Sequence, residues 1–296
     1  MDRAGVVMKH FRQLAASATA VFVLAAAALH ANAAAVYSVI DGFAFDIRDG
    51  GAVIHEYRGS SHAPSIPESL LDAPVTRIDG SAFFGQESLT AVSFENAVNL
   101  QTIGSNAFYN CKALTSVSLP DQVTEVAFGA FQGCSALMDV KLSGSMTAIA
   151  AQTFDGCESL ANVTVPRSVQ RIGAYAFGGC TALTTVWIPD SVTEISATAF
   201  EGDANVLLYC QQGSCAEAYA VEHELPYVLA GDVNGDRTVN INDVTSIQCY
   251  LAEIDSLSDE ALLAADTDGG GELAIADASR LQMYLAEYDV KLGRQL

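Results

Sequence analysis

A twelve-residue stretch near the C-terminal end, 232–243, carries oxygen-bearing side chains at its positions 1, 3, 5, 9 and 12. The residues are Asp232, Asn234, Asp236, Asn240 and Asp243, and the backbone carbonyl of Thr238 stands at position 7. Ca²⁺ takes about six to eight oxygen ligands at about 2.3–2.6 Å, and a twelve-residue loop with this spacing supplies them. The register of these oxygens therefore favours a calcium loop over a solvated turn of Asp and Asn residues.

The pattern returns at residues 266–277, 34 positions further along the chain (266 − 232 = 34). Gly270 and Ala274 stand at positions 5 and 9 of this second loop, where the first loop has oxygen-bearing side chains. The predicted ligands that remain are Asp266, Asp268, Asp277 and the backbone carbonyl of Glu272. Because fewer charged ligands bind Ca²⁺ more weakly, the sequence predicts one strong calcium site and one degenerate site.

A helix with one apolar stripe is predicted after each loop. Val244, Ile247 and Leu251 fall at i, i+3 and i+7, and the run Gln-Cys-Tyr-Leu-Ala-Glu at 248–253 returns as Gln-Met-Tyr-Leu-Ala-Glu at 282–287. Two loop–helix halves of this kind resemble a dockerin module, from residue 231 to about residue 289. The resemblance implies an EF-hand-like fold without entering helices, and calcium-dependent attachment to a cohesin domain of a scaffold protein in a cellulosome-type complex.

The dockerin resemblance also implies where a cohesin domain would contact the chain, namely at loop positions 10 and 11 and just inside each helix. The implied contact residues are Ile241, Asn242, Gln248, Cys249, Ile275, Ala276, Gln282 and Met283. Because this set is partly apolar, we expect a contact that is more hydrophobic than charged. The unlike pairs Asn242/Ala276 and Cys249/Met283 favour one dominant binding orientation over two equal ones.

A second repeat occupies the middle of the chain. Phenylalanines at 83, 108, 131, 154, 177 and 200 are 25 residues apart once and 23 residues apart four times. Between them recurs Leu-x-x-Val-x-(Leu/Ile/Val)-Pro, as in Leu114, Val117, Leu119 and Pro120, whose alternation predicts one strand per repeat. This array resembles the BspA-like leucine-rich repeats of secreted bacterial proteins, a family associated with adhesion and binding. Such repeats bury a continuous core only when they stack.

These patterns together predict an α/β fold, a leucine-rich-repeat β-solenoid followed by a small all-α calcium-binding dockerin. A β-hairpin at 36–57 begins the solenoid, and a helix at 214–223, capped by Ser214 with Glu217 three residues on, helps to close it. The predicted organisation is a signal peptide at 1–33, an N-terminal cap at 34–77, repeats at 78–205, a C-terminal cap at 206–230 and a dockerin at 231–296.

The N-terminal segment and the composition indicate a secreted location. Arg3, Lys9 and Arg12 precede an apolar run at 14–29 and the small-residue site Ala-Asn-Ala at 31–33, which predicts a secretory signal peptide. Met8 is an alternative start, and a retained membrane anchor is the competing interpretation. No later stretch is long and apolar enough to predict a membrane span. The net charge of −21 without a basic patch argues against a nucleic-acid partner.

Seven cysteines raise the question of disulfides. Cys111, Cys134, Cys157 and Cys180 share one repeat position, where neighbours would lie about 5 Å apart with parallel Cβ vectors. A disulfide needs Cβ atoms about 3.8 Å apart that point toward each other, so we expect these four to be buried free thiols. Residues 210 and 215 are close enough in sequence to close a small loop, and both the bridged and the free state remain open.

Trp187 is the exception on a strand face that is otherwise small and polar. An exposed tryptophan beside threonines is suited to stacking on a sugar or anchoring a peptide. The alternative is that Trp187 packs under the helix predicted at 214–223.

No motif for catalysis stands out. The chain lacks a glycine-rich phosphate loop and a His-Glu-x-x-His zinc pattern. The sequence therefore predicts a secreted, non-catalytic protein that is attached to a scaffold through its dockerin-like module and binds an unknown protein or glycan through its repeats. The alternative is a free secreted or cell-surface adhesin in which the calcium module is only structural.

Overall fold

The structure, a computed structural model, describes residues 37–203, 205–287 and 290–293. The signal peptide predicted at 1–33 lies outside the described residues. A leucine-rich β-solenoid forms the larger part of the chain and a small helical region follows it. The predicted fold class is thereby confirmed.

The first part of the solenoid is an antiparallel cap. It comprises β1 (Ser38–Ile40), β2 (Phe43–Arg48) and β3 (Gly51–Tyr57), followed by β4 (Ser69–Leu70) and β5 (Ala73–Ile78). β2 and β3 form the predicted hairpin, with Phe45 opposite Ile54, and β1 adds a strand on its outer side. β3 then pairs in parallel with β5, so the cap passes directly into the stacked coils.

Two series of short strands run along the stacked coils. One series comprises β7 (Ser116–Ser118), β9 (Asp139–Lys141), β11 (Asn162–Thr164), β13 (Thr185–Trp187), β15 (Leu207–Cys210) and β16 (Tyr227–Leu229). The other comprises β6 (Thr102–Ile103), β8 (Glu125–Val126), β10 (Ala148–Ile149), β12 (Arg171–Ile172) and β14 (Glu194–Ile195). Pairing within each series is parallel and joins equivalent repeat positions, such as Val117 with Val140 and Ile149 with Ile172.

The second series of strands corrects the sequence-based expectation of one strand per repeat. The backbone there is extended and pairs with the same residues of the next coil, for example Ile103 with Val126. A constant repeat length brings identical backbone groups side by side, and buried backbone groups must be hydrogen-bonded. Each of these repeats therefore adds a two-residue strand to a second ladder.

A column of aromatic rings fills the core of the solenoid on the side that carries neither series of strands. The repeat phenylalanines, from Phe83 to Phe200, are buried and stack with ring centroids 4.7–5.7 Å apart. Tyr57 of the N-terminal hairpin stacks on Phe83 at 5.2 Å. At the other end Tyr219 packs on Phe200 at 5.8 Å. Both caps thus cover the open ends of the column with an aromatic ring of their own.

The helix α1 (Cys215–Glu222) supplies Tyr219. Ser214 caps this helix by accepting a hydrogen bond from the backbone N–H of Glu217 at 3.2 Å, while the Glu217 carboxylate accepts from the Gly213 N–H. The predicted capping arrangement is thus formed, with the carboxylate reaching one residue before the cap. Tyr219 and its neighbours on the buried face then seal the last coil.

Three further helices form the C-terminal region: α2 (Ile241–Leu251), α3 (Asp259–Ala265) and α4 (Ile275–Leu285). α2 and α4 are the helices predicted after the two loops, and they bury Val244 and Ile247 of one against Leu281 of the other. α3 was not predicted; Ser258 caps it by accepting from the Ala261 N–H at 3.1 Å. Within the described residues, no helix is both long and apolar enough to cross a membrane.

The four repeat cysteines form a column of free, fully buried thiols, as predicted. Each Sγ donates a hydrogen bond to the phenylalanine carbonyl of the preceding coil: Cys111 to Phe83, Cys134 to Phe108, Cys157 to Phe131 and Cys180 to Phe154, at 3.1–3.4 Å. Burial raises the pKa of these thiols, to about 12 for Cys111. Cys210 and Cys215 are free as well.

Asp203 occupies the next position in this cysteine column, at the C-terminal end of the repeats. Its side chain is 6% exposed and neither carboxyl oxygen has a hydrogen-bond partner. Burial, together with the negative charge of Asp155, raises the pKa of Asp203 to about 7. A protonated Asp203 has an O–H at the repeat position where the cysteines have an S–H.

We predict that Asp203 makes the stability of the solenoid depend on pH. A carboxyl whose pKa is raised by folding stabilises the protein fully below its ordinary pKa near 4, and this contribution disappears as the pH rises through about 7. Asp203→Asn, which stays neutral, should raise the melting temperature at pH 8 by about 3 °C or more and change it little at pH 5. Thermal unfolding followed by circular dichroism at both pH values measures this.

Glu201→Gln is the matched control, because it removes a nearby acid whose side chain is exposed. It should leave the difference between the two pH values unchanged. An equal effect of Asp203→Asn at pH 5 and pH 8 would show that Asp203 does not titrate in this range.

Candidate metal centre

The first loop is organised around the carboxylate of Asp243, which is fully buried in the first turn of α2. Its Oδ1 accepts hydrogen bonds from the backbone N–H groups of Val233 at 2.9 Å and Asn234 at 3.1 Å. Its Oδ2 accepts from the N–H of Asn240 at 2.8 Å. One side chain therefore ties the beginning and the end of the loop to the helix that follows.

The remaining polar residues of this loop turn the backbone between those points. Asn234 and Asp236 each accept a hydrogen bond from the N–H two residues further on, at 2.9 and 2.8 Å. Asn240 caps α2 by accepting from the Asn242 N–H, and its own Nδ2 donates to the carbonyl of Thr238 at 2.8 Å. The carbonyl predicted at position 7 is therefore shared with the helix cap.

The second loop repeats the arrangement with fewer side chains. Asp277 is fully buried and accepts from the N–H groups of Asp268 at 3.1 Å and Ala274 at 2.9 Å. Asp266, Asp268 and Asp277 each bring one carboxylate oxygen within 4.8 Å of the other two. Ala274 provides no side-chain cap for α4, and the side chain of Glu272 is exposed, so that only its carbonyl is a predicted ligand.

Both loops leave one buried carboxylate oxygen without a hydrogen-bond partner. Asp232 at position 1 of the first loop has Oδ2 bonded to the Arg237 N–H at 2.9 Å, whereas its Oδ1 is buried and unpartnered. Asp266 at position 1 of the second loop has Oδ2 bonded to the Gly271 N–H, and its Oδ1 is likewise unpartnered. A buried acceptor of this kind is costly unless a donor or a cation satisfies it.

The electrostatics of both loops also favour a cation. Burial raises the pKa of Asp232, and the charges of Asp243 and Asp236 act in the same direction. Burial and neighbouring carboxylates raise the pKa of Asp266 similarly. A bound divalent cation would offset this mutual repulsion and accept the unpartnered oxygens as ligands. The three carboxylates of the second loop converge as a cation site requires, and the first loop carries the oxygen-bearing side chains that Ca²⁺ prefers.

The residues predicted to contact a partner lie on the outer side of α2 and α4. Ile241 is 60% exposed and Ile275 is 65% exposed, and each stands at the first residue of its helix. Met283 is 43% exposed. The other members of the predicted set, Asn242, Gln248, Ala276 and Gln282, are exposed, and Cys249 is half-buried. The structure therefore presents two apolar side chains at equivalent places beside the two loops.

The surroundings of Trp187 differ from those in both sequence-based interpretations. The half-buried ring packs against a cluster that includes Tyr209 of β15, Leu281 of α4 and Leu292. This cluster is the core of the helical region, whereas α1 belongs to the core of the solenoid. The short connection at 230–231 holds the helical region against the end of the sheet, and Trp187 is part of that contact.

Several residues of this contact were missed from the sequence. Gln212 bonds to two backbone groups of the first loop, and Leu292 lies 3% exposed between the two regions. The only signal for Leu292 was an apolar residue within a polar tail. Nothing in the sequence distinguished Gln212 from other exposed glutamines.

Comparison with protein-family models finds two matches. Residues 69–206 match the BspA type leucine rich repeat region in 6 copies, and residues 230–286 match the dockerin type I domain. Both families are non-catalytic, both are typical of extracellular proteins, and dockerin type I domains bind calcium. None of the curated proteins matches the chain.

Solved structures of leucine-rich repeat proteins also resemble the chain. The Treponema pallidum leucine-rich repeat protein is 27% identical, with 58% of this chain and 71% of that chain covered and a TM-score of 0.42. A leucine-rich repeat protein from Eubacterium ventriosum is 22% identical, with 56% and 50% covered and a TM-score of 0.46. One from Bacteroides capillosus is 25% identical, with 55% and 99% covered and a TM-score of 0.34.

Removing the first ligand of each loop should separate the two sites. We predict that Asp232→Asn weakens the tighter calcium-binding event by about tenfold or more and lowers the melting temperature of the helical region, because metal binding is coupled to folding in such loops. Asp266→Asn should have a smaller effect on both quantities. Isothermal titration calorimetry with Ca²⁺ and thermal unfolding with and without chelator measure them.

The matched control is Asp255→Asn, an exposed acid between the loops that should leave both quantities unchanged. Equal losses in Asp232→Asn and Asp266→Asn would show that the ranking of the two sites is wrong.

Proposed function

Because the chain carries a BspA-type leucine-rich repeat region followed by a dockerin type I domain, we propose that it is a secreted, non-catalytic binding protein. In this proposal the dockerin attaches the chain to a cohesin domain of a scaffold protein, as in a cellulosome-type complex. Calcium in the two loops supports the attachment, with the first loop binding more tightly than the second. The repeats remain available for a second partner.

The observation that carries this proposal is the pair of exposed isoleucines, Ile241 and Ile275. A large apolar side chain that is more than half exposed gains free energy when a partner covers it, by roughly 1.5–3 kcal/mol for complete burial. Both isoleucines begin a helix that the loop carboxylate also anchors, Asp243 in one half and Asp277 in the other. Binding of a cation in the loop would therefore fix the direction of the apolar residue beside it.

Calcium acts on this surface through the backbone of the loops. Asp243 already holds three N–H groups of its loop, and a cation shared with Asp232 would hold the opposite side of the loop as well. Ordering the loop and the first helical turn before the partner arrives lowers the entropy cost of association. Chelation should therefore weaken partner binding.

The repeats offer a different kind of surface for the second partner. Outward strand positions such as Ser116, Ser118, Asp139 and Lys141 are exposed, small or polar, and aligned along the array. Stacked repeats of this kind provide an extended binding surface. A protein or a polysaccharide at the cell surface is the class of ligand that suits it.

Substitution of the two isoleucines tests the attachment proposal. We expect Ile241→Asp with Ile275→Asp to weaken binding to a cohesin domain by about tenfold or more, since apolar anchors at the centre of an interface are each worth on the order of 1–2 kcal/mol. Calcium binding should be retained. A panel of immobilised cohesin domains, titrated by surface plasmon resonance with Ca²⁺ and with chelator, measures this.

Ile254→Asp is the matched control, because Ile254 is 76% exposed in the same domain but lies outside the proposed contact. It should bind like the unmodified protein. If no cohesin in the panel binds in a calcium-dependent manner, the proposal fails. In that case a repeat array that retains its ligand without residues 231–296 would favour a free adhesin with a structural calcium module.

A further inference from the structure

We infer that the dockerin loops act as a calcium-dependent joint that docks the helical domain onto the end of the repeat array. The inference rests on the proposed calcium loops and concerns what they do within this chain. Its basis is that the backbone of each loop is hydrogen-bonded to residues outside that loop. The first loop bonds to the solenoid, and the second loop bonds to a short C-terminal strap, residues 290–293, that bridges the two domains.

The first loop contacts the solenoid cap directly. Gln212 donates from Nε2 to the carbonyl of Arg237 at 3.4 Å, and its Oε1 accepts from the N–H of Val239 at 3.3 Å. The guanidinium of Arg237 lies over the ring of Tyr227, 5.4 Å from its centroid. Arg237 and Val239 occupy positions 6 and 8 of the loop, on either side of the carbonyl predicted to bind the cation.

The second loop contacts the solenoid through the strap. The N–H of Gly293 donates to the carbonyl of Thr267 at 2.9 Å, and the buried Thr267 hydroxyl donates to the carbonyl of Asp277 at 2.8 Å. Arg280 of α4 donates to the carbonyl of Lys291 at 2.7 Å. The strap is therefore hydrogen-bonded to Thr267, at position 2 of the second loop, and to α4, the helix that follows this loop.

The other side of the strap is fastened to the repeats. The carbonyl of Leu292 accepts from Arg167 at 3.3 Å and from Gln211 at 3.2 Å. Lys291 forms an ion pair with Asp190 at 2.6 Å. The Leu292 side chain is 3% exposed within the cluster that also contains Tyr209 and, at its edge, Trp187.

The connection between the domains leaves little room for independent movement. Leu229 and Ala230 are almost fully buried, and the Ala230 N–H donates to the carbonyl of Cys210 at 2.8 Å. Gly231 has a φ of +90°, and a Cβ at this residue would lie 2.9 Å from both Leu281 and Leu292. The docked arrangement thus requires glycine at residue 231, where the helical domain, the strap and the connection between the domains meet.

The consequence is a thermodynamic link between cation binding and docking. Without a cation, the clustered carboxylates of each loop repel one another, and the backbone positions that hold Gln212 and Gly293 lose their support. If calcium favours the docked state, docking must favour calcium binding by the same factor. The cohesin-contacting helices would then point in a fixed direction from the repeats only when calcium is bound.

Trp187 is the single tryptophan of the chain, so its fluorescence reports on this contact. The experiment titrates Ca²⁺ into chelator-treated full-length protein and records Trp187 emission and calorimetric binding together. We expect emission to shift to shorter wavelength as calcium binds, with the same midpoint as the binding isotherm.

Two variants perturb the docking contact without changing a predicted ligand. Leu292→Ala should weaken calcium binding by about fivefold or more and reduce the emission change. Asp190→Lys, which lies in the repeats and leaves the helical core intact, should weaken calcium binding by about twofold or more by repelling Lys291. Asp121→Lys is the matched control, since Asp121 also follows the proline of its repeat but stands three repeats before Asp190.

Each outcome decides one part of the account. Calcium binding with constant Trp187 emission, or unchanged calcium affinity in both variants, would overturn the joint and leave the proposed calcium sites standing. Absence of calcium binding would overturn both. A coupled shift that Leu292→Ala and Asp190→Lys weaken, and Asp121→Lys preserves, supports the joint.

Discussion

Two buried carboxylate oxygens without a hydrogen-bond partner, Oδ1 of Asp232 and Oδ1 of Asp266, are the constraint on which the C-terminal part of this protein depends. They stand at the first position of each loop and face neighbouring carboxylates, so that burial and like charge act in the same direction. Folding such an arrangement is costly unless a cation takes part. Asp243 and Asp277, which tie each loop to the helix after it, are among those neighbouring carboxylates.

A different constraint governs the solenoid, where each buried group must pack against, or hydrogen-bond to, the repeat residues of the neighbouring coil. Phenylalanine rings satisfy it by stacking, and the cysteine thiols satisfy it by donating to the carbonyl of the coil before. At the ends no further copy exists, and Tyr57 and Tyr219 substitute for the missing rings. Asp203 marks the place where the thiol column ends in a carboxyl group instead.

The two constraints meet at a single surface. Trp187 and Tyr209 are paired on adjacent strands near the end of the solenoid, yet both pack with Leu292 in the core of the helical domain. The helical region and the repeat array therefore do not lie apart, because Gln212 of the solenoid cap is hydrogen-bonded to the backbone of the first loop. The end of the repeat array and the helical region therefore share one packed surface.

Much of this could be predicted from the sequence because periodic patterns encode local geometry. The repeated phenylalanines and the Leu-x-x-Val strands predicted the solenoid, and the oxygen spacing predicted both loops and the helices after them. The second strand series was missed because Ile103 and its equivalents carry too short an apolar signal to indicate a strand. The surroundings of Trp187 were missed because they depend on Leu292, a residue over a hundred positions away whose contact has no local sequence signature (292 − 187 = 105).

The central claim is that a cation completes the first loop by binding the free oxygen of Asp232. Crystals of the protein grown with calcium, measured at a wavelength where calcium scatters anomalously, test this most directly. The account predicts an anomalous peak about 2.3–2.6 Å from Asp232 Oδ1, with Asn234, Asp236 and Asp243 around it. A well-ordered loop in which Asp232 Oδ1 bonds only to water, with no anomalous peak at saturating calcium, would contradict it.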